Sequence, residues 1–317
     1  MNKFNMGKRG YLEISFGWLF ALIVGAFILF LAIYFSIKLI GIGQQESDLK
    51  TGKELGIILS PLEIGSESVK SNYVTFPVET RIYASCDEEG GFGKQLIKIS
   101  QKSFNKWTDT DERVGFLNKY FFSEEPIEGK KFYVFSKPFY FPFKVADVMI
   151  LTSDEKTYCF TDAPEDIERE LLNINQKNFL VNNCTKNSIK ICFGAGNCDI
   201  EVNYNEGDYE EDSRGYVEKK GEVVYFIGDA SMYGAIFADK EIYECQIKRF
   251  MKRTEMLAKL YEDKASFVSR VDCNSALELT ALANQAKSLE SSNDLNGIYL
   301  TVKDIKEKNE LALCKLW

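Results

Sequence analysis

Apolar residues along this chain follow three successive patterns. Between Glu13 and Lys38 run twenty-four residues without a charge, rich in Leu, Ile, Phe and Ala. At 1.5 Å per residue this is about 36 Å of helix, enough to cross a ~30 Å hydrocarbon core with some tilt. A cleaved secretory signal has an apolar stretch of only about 7–15 residues, so the pattern predicts a spanning helix over 14–40. Trp18 and Tyr34 stand near its two ends, where aromatic rings favour the membrane interface. "QQESDLKTGKELGIIL" continues the helix as a stalk towards Pro61, and "GSESVKSN" (65–72) reads as a linker.

The second pattern consists of short runs rich in β-branched and aromatic residues, broken at Gly, Pro or Asp. "YVTFPVETRIYASC", "QLIKIS", "KKFYVFS", "VADVMILT" and "TYCF" read as strands. After an amphipathic helix at 165–176 come "SIKICF", "CDIEVNY", "GYVEKK" and "EVVYFIG". In the third pattern the apolar steps change to threes and fours. Tyr243, Ile247, Phe250, Leu257, Tyr261, Ala265 and Val268 predict one long helix over 241–270, with Thr254 filling the gap. Leu279, Leu282, Ala286 and Leu289 mark a second helix after the Asn274/Ser275 cap, and Ile298, Val302 and Ile305 a third. The fold class expected is α+β: a transmembrane helix, then a β-rich disulfide-bonded ectodomain with a C-terminal helical layer. Its divisions are a basic N-terminus (1–13), the span (14–40), stalk and linker (41–72), a β-rich domain (73–235) and a helical region (236–317).

Charge orients this plan. Lys3, Lys8 and Arg9 precede the span while Glu46 and Asp48 follow Lys38, which puts the N-terminus in the cytoplasm and the bulk outside. All eight cysteines lie beyond the span, and an even count on that side reads as disulfides in an oxidising space. Cys192 and Cys198 flank "FGAGN" and would close a hairpin across its neck, unless each pairs with a more distant residue such as Cys184. An antiparallel return of the last helix would bring Cys273 to Cys314. Gly17, Ala21 and Gly25 place small side chains on one face of the span, the spacing that lets membrane helices self-associate.

Two resemblances follow from these stretches. "GKRGYLEISFGWLFALIVGAFILFLAIYF" resembles the N-termini of archaeal type IV pilin-like proteins, in which a short basic leader ending in Gly precedes a filament-forming helix. That resemblance implies cleavage after Gly10. The family carries Glu at the fifth residue after the cut, where this chain has Ser15, its nearest acid being Glu13. "ISQKSFNKW", "FSKPFYFPFKVAD", "IYECQIKRFMKRTEMLA" and "CKLW" resemble archaeal single-pass surface proteins, which implies a location and no activity.

The absence of histidine removes Ser-His-Asp and Cys-His catalysis and His-ligated zinc, and no Cys-x-x-Cys pair offers a thiolate metal site. A net charge of −8 argues against a nucleic-acid partner. The aromatic run at Phe139, Tyr140, Phe141 and Phe143 is either a surface for a sugar or protein partner or core filling beside two prolines. "NEGDYEED" (205–212) has the oxygens of a calcium loop without EF-hand spacing and reads as a solvated hairpin loop; "DTDE" (109–112) is a weaker case of the same. Lys248, Arg249, Lys252 and Arg253 form a basic cluster that reads as a solvated helix face or a contact for anionic lipid. "CFGAGNCD" and "GFGKQ" lack the remaining residues of nucleotide-binding loops, and Asn183-Cys184-Thr185 is a glycosylation sequon. No catalytic residue, metal ligand or cofactor is assigned. The expected function is a non-catalytic, membrane-anchored extracytoplasmic structural or interaction protein, its partners lipid, a second copy through the span, and a surface protein or glycan. The alternatives are a pilin-like filament subunit and an extracytoplasmic enzyme working with carboxylates.

Overall fold

The computed structural model describes residues 16–58, 70–103, 105–108, 113–194, 196–207, 209–271 and 277–317. The chain divides after Ser47 into two units. Helix α1 (Phe16–Ile58) spans the division, and its Phe16–Ser36 portion is long and apolar enough to cross a membrane. None of that window is buried against the described residues. A Cβ added at Gly17 or Gly25 would meet nothing within 4 Å. The helix persists past Lys38 through the polar "QQESDLKTGKELGII", as the stalk pattern predicts.

The second unit holds two sheets. The first contains β1 (Lys70–Asp87), β2 (Lys94–Ser103), β3 (Lys106–Trp107), β4 (Val114–Phe116), β5 (Phe121–Phe122), β6 (Ile127–Tyr140) and β7 (Lys144–Ser153). Its order is β3-β2-β1-β6-β7-β5 with β4 on β2, antiparallel except where β5 meets β7. The second contains β8 (Tyr158–Thr161), β9 (Phe179–Val181), β10 (Ile189–Phe193), β11 (Ile200–Asn205), β12 (Arg214–Lys219) and β13 (Glu222–Ile227), in the order β13-β12-β11-β10-β8-β9. Helix α2 (Glu165–Ile174) lies between β8 and β9, closing on Asn175 in the left-handed region.

β10 and β11 run parallel, whereas the cysteines flanking "FGAGN" had suggested a hairpin. Residues 194–199 carry the chain back so that Asp199 N–H donates to Lys190 O (3.0 Å) and Lys190 N–H to Asp199 Oδ2 (2.8 Å). Cys192–Cys198 is a disulfide closing this return loop; Cys159–Cys184 joins β8 to the loop after β9, and Cys86–Cys245 crosses a sequence separation of 159. Cys314 is disulfide-bonded, and Cys273 lies outside the described residues.

Between Ile227 and Lys240 the sequence offers no helical periodicity, yet α3 (Asp229–Phe237) is a helix with all nine residues buried. A helix covered on every side needs no polar face, which is why the period is missing. Gly234 has no room for a side chain: a Cβ there would stand 2.7 Å from the Phe122 ring. The remaining helices, α4 (Lys240–Val268), α5 (Thr280–Ser288) and α6 (Leu295–Leu311), follow the predicted stripes, and their apolar faces join the strands in one hydrophobic core.

α4 is fastened to the first sheet by three side chains near one another. Cys245 is bonded to Cys86 at the end of β1. Gln246, fully buried, donates to Gln95 Oε1 (2.6 Å) and Phe121 O (2.9 Å). Arg249 is also fully buried, contrary to the solvated basic face expected of it. Its guanidinium donates to Phe92 O (3.0 Å), Lys119 O (2.9 Å), Leu117 O (3.0 Å) and Gln246 Oε1 (2.7 Å), and lies 4.3 Å from the Tyr120 ring centroid. Burial lowers its pKa to about 10, and the planar fork is satisfied by carbonyls without a carboxylate.

Arg249→Met leaves three carbonyls unpaired, and at ~1–3 kcal/mol each the loss should be about 3 kcal/mol or more in urea unfolding. Gly234→Ala, which in an exposed helix would stabilise by ~1 kcal/mol, should here destabilise by ~1–3 kcal/mol through its clash with Phe122.

Candidate functional site

A cavity walled partly by charged side chains lies where α3 begins. β13 ends at Ile227, and Gly228 (φ 79) turns the chain directly into the helix, a conformation that costs glycine little. Gly228 N–H donates to Ser213 O (2.7 Å), and its missing Cβ would stand 3.4 Å from the Glu211 backbone. Asp229 therefore emerges at a fixed point, on the first residue of α3.

A cavity of about 350 Å³ is lined by Lys137, Pro138, Phe139, Tyr140, Glu211, Gly228, Asp229 and Ala230. A second lobe of about 380 Å³ shares Asp229 and Glu211 with it, and adds Pro164, Asp166, Tyr204, Glu206, Gly207 and Tyr209. Asp229 is only 3% exposed and accepts from Ser213 Oγ (2.6 Å) and Tyr204 Oη (3.0 Å), both on Oδ1. Burial pushes its pKa up to about 6, with the Ser213 bond and the Lys137 charge opposing the shift. Burial also raises the phenols of Tyr204 and Tyr233, with neighbouring Asp229 and Glu170 charges adding to the effect.

The other charges around the cavity are engaged with one another. Lys137 Nζ meets Glu170 Oε1 at 2.5 Å with both side chains largely covered, and Tyr233 Oη donates to Glu170 Oε2 at 3.0 Å. Lys306 of α6 reaches Glu211 Oε1 and Asp212 Oδ2 at 3.1 Å each, and lies 4.2 Å from the Tyr209 ring centroid. Burial works against the Lys306 charge, and the bonds to Glu211 and Asp212 outweigh it, leaving its pKa raised. At the opposite end of α3, Lys219 donates to Ile236 O (3.2 Å) and to Ala238 O, its pKa lowered by burial to about 8. A carboxylate at the start of the helix and an ammonium at its end both complement its dipole.

Most of the sites suggested by sequence lie elsewhere or take other roles. Phe139, Phe141 and Phe143 are buried to 1% exposure or less, so the run is core and not a ligand surface. Phe139 stacks on Phe250 (4.7 Å), and Phe143 meets Tyr261 (4.7 Å) and Trp317 (5.4 Å). The end of β6 is covered on both faces, and Phe141 and Phe143 lie in the turn from β6 to β7, so strand alternation does not leave their rings outward. Only half-buried Tyr140 and the edge of Phe139 reach the cavity. In the basic cluster, Lys248 pairs with Glu88 (3.1 Å) and Lys252 donates to Glu88 O. In the acidic loop, Glu211 and Asp212 hold Lys306 instead of facing solvent. "GFGKQ" forms the β1–β2 turn, with Gly93 (φ 60) and Gln95 inside the α4 fastening. Cys184 of the sequon is in a disulfide, and residues 109–112 lie outside the described residues. The sequence reading passed over Asp229 itself. Its signal is present: it is the only charged residue between Glu222 and Asp239, in an otherwise apolar run.

The raised pKa fixes the sign of a stability effect. Below pH ~4 the Asp229 carboxyl is protonated in both folded and unfolded chains and burial costs nothing. As pH rises through about 6 the native state must carry a buried charge, a shift of ~2 pKa units or ~3 kcal/mol. Asp229→Asn keeps an acceptor for Ser213 and Tyr204 without the charge. It should be more stable than the parent by ~1–3 kcal/mol at pH 8, with the difference vanishing near pH 4 in denaturant unfolding. Comparison of the chain with known protein families, curated proteins and solved structures finds no match.

Proposed function

We propose that this chain is a membrane-anchored protein whose disulfide-bonded α+β body acts outside the cytoplasm as a structural or interaction module. The observation that carries the reading is the fully exposed apolar helix Phe16–Ser36. In water so many bare apolar side chains would cost far more than a domain's net stability, at ~25 cal/mol per Å², whereas lipid accepts them. The disulfides of the second unit, Cys86–Cys245, Cys159–Cys184 and Cys192–Cys198 among them, support an oxidising compartment, and the basic residues before the span favour a cytoplasmic N-terminus. The partners of this reading are membrane lipid, a second copy packed along Gly17, Ala21 and Gly25, and a surface protein or glycan met by the body.

Carboxylate catalysis is the weaker alternative on the geometry of the cavity. Acid–base chemistry on a bond needs two groups free to exchange protons. Among the described residues Glu170 is held by Lys137 and Tyr233, Glu211 by Lys306 and Asp166 by Arg169, and the other acid of the wall, Glu206, is exposed, so Asp229 has no second buried carboxylate free to exchange protons. A pilin-like subunit differs from the anchor in its mature end.

In a heterologous membrane, protease added to intact cells should remove the body and leave a short protected fragment containing the span. Protection of the whole chain would refute the orientation. Mass spectrometry of the mature protein should find an N-terminus at Met1 or Asn2; one at Tyr11 would move the assignment to the pilin-like reading.

A further inference from the structure

The second sheet ends at β9, whose outer edge has no neighbouring strand among the described residues. Bare strand edges invite pairing with other chains, and native proteins cover them. The helix packed on this strand, α2, leaves Leu172 66% exposed. Asn182 Nδ2 donates to Glu168 Oε1 (2.6 Å) and so ties the loop leaving β9 to α2. That loop carries Asn183-Cys184-Thr185, the one Asn-x-Ser/Thr sequence in the chain. Cys184 is bonded to Cys159, which is fully buried on β8. Asn183 and Thr185, on either side, are both exposed. The disulfide therefore does not hide the acceptor. It pins the middle residue while the two flanking residues that define the acceptor stand in solvent.

We propose that Asn183 carries an N-linked oligosaccharide. The modification rests on the extracytoplasmic placement proposed above, because this acceptor sequence is used in chains that leave the cytoplasm. In the transfer, Asn183 Nδ2 bonds to the anomeric carbon of an oligosaccharide delivered on a polyisoprenyl phosphate. The bond from that carbon to the phosphate oxygen breaks, the lipid phosphate leaves with the electron pair, and an amide proton passes to a base of the transferase. The attached chain adds bulk and hydration at the surface. Rooted just past Val181, it bars another strand from joining β9 and holds water around Leu172. The loop does not depend on the acceptor hydroxyl: Ser188 Oγ and N–H both donate to the backbone carbonyl of Thr185 (2.7 and 3.2 Å).

The test is peptide mapping of the full chain purified from the membranes of the cells that make it. After alkylation without reduction, trypsin releases residues 157–169 and 178–186 as one pair joined by Cys159–Cys184. Mass spectrometry with electron-transfer fragmentation should find whole sugar residues added to this pair at Asn183. Asn183→Gln and Thr185→Ala should each abolish the added mass while the pair stays disulfide-linked, which verifies that both variants fold. Sugar retained in Thr185→Ala would overturn the proposal, since transfer by an enzyme requires that hydroxyl and chemical glycation does not. An unmodified Asn183 in a disulfide-linked pair would overturn it and leave the outside location standing. An unmodified Asn183 with Cys159 and Cys184 both alkylated would remove the location along with it.

Discussion

The body is organised by how one helix is bolted to parts of a sheet that precede it by more than a hundred residues. Within five residues, α4 applies a covalent bond, a buried amide and a buried guanidinium to the turns and strand ends of the first sheet. Arg249 is the most demanding of the three. Removing its charge from water costs several kcal/mol, and among the described residues no carboxylate bonds to it to offset that loss, Asp87 acting through its charge alone. The carbonyls of Phe92, Leu117 and Lys119 do so instead, and in return their loops lose their freedom to move. Once α4 is fixed there, it can receive the rings of Phe139 and Phe143, and both sheets contribute to the larger hydrophobic core while a smaller one lies within the first sheet.

The same rigidity makes the buried charge on α3 tolerable. A nine-residue helix sealed from water on all sides cannot use solvent to relieve its end groups. Asp229 and Lys219 stand at its two ends, each paying part of a desolvation cost that shows in opposite shifts of their pKa values. Dipole complementarity accounts for the presence of an acid at that point in the fold.

How much of this was visible in the sequence depends on the range of the interaction. The uncharged run, the β-rich segments and the α4 stripe are local patterns and reappear nearly residue for residue, as with Lys240–Val268 against the expected 241–270. α3 escaped because periodicity measures contrast between faces, and a fully covered helix has none. Arg249 was misplaced because a cation in a basic helix segment looks solvated until the carbonyls of a distant turn are known. The run at 139–143 was ambiguous for a related reason: whether its rings face out depends on what covers the end of β6 and the turn after it. The parallel β10–β11 pairing depends on a return loop whose anchoring bonds, from Asp199 to Lys190, are invisible to strand propensity. Asp229 was legible as a lone acid in an apolar stretch. Its partners Ser213, Tyr204 and Lys137 were not, since they arrive from three separate elements.

The Cys86–Cys245 bond also has a mechanical meaning. β1 is the first strand of the described residues after α1, so a pull applied from the N-terminal side enters the sheets through Lys70. Peeling β1 away from β2 and β6 could release chain only as far as residue 86. There the covalent link passes the load directly into α4, bypassing the hydrogen bonds of the sheet. Tension would lengthen the tether by one strand and then stop, leaving α3 and its cavity intact behind the bond.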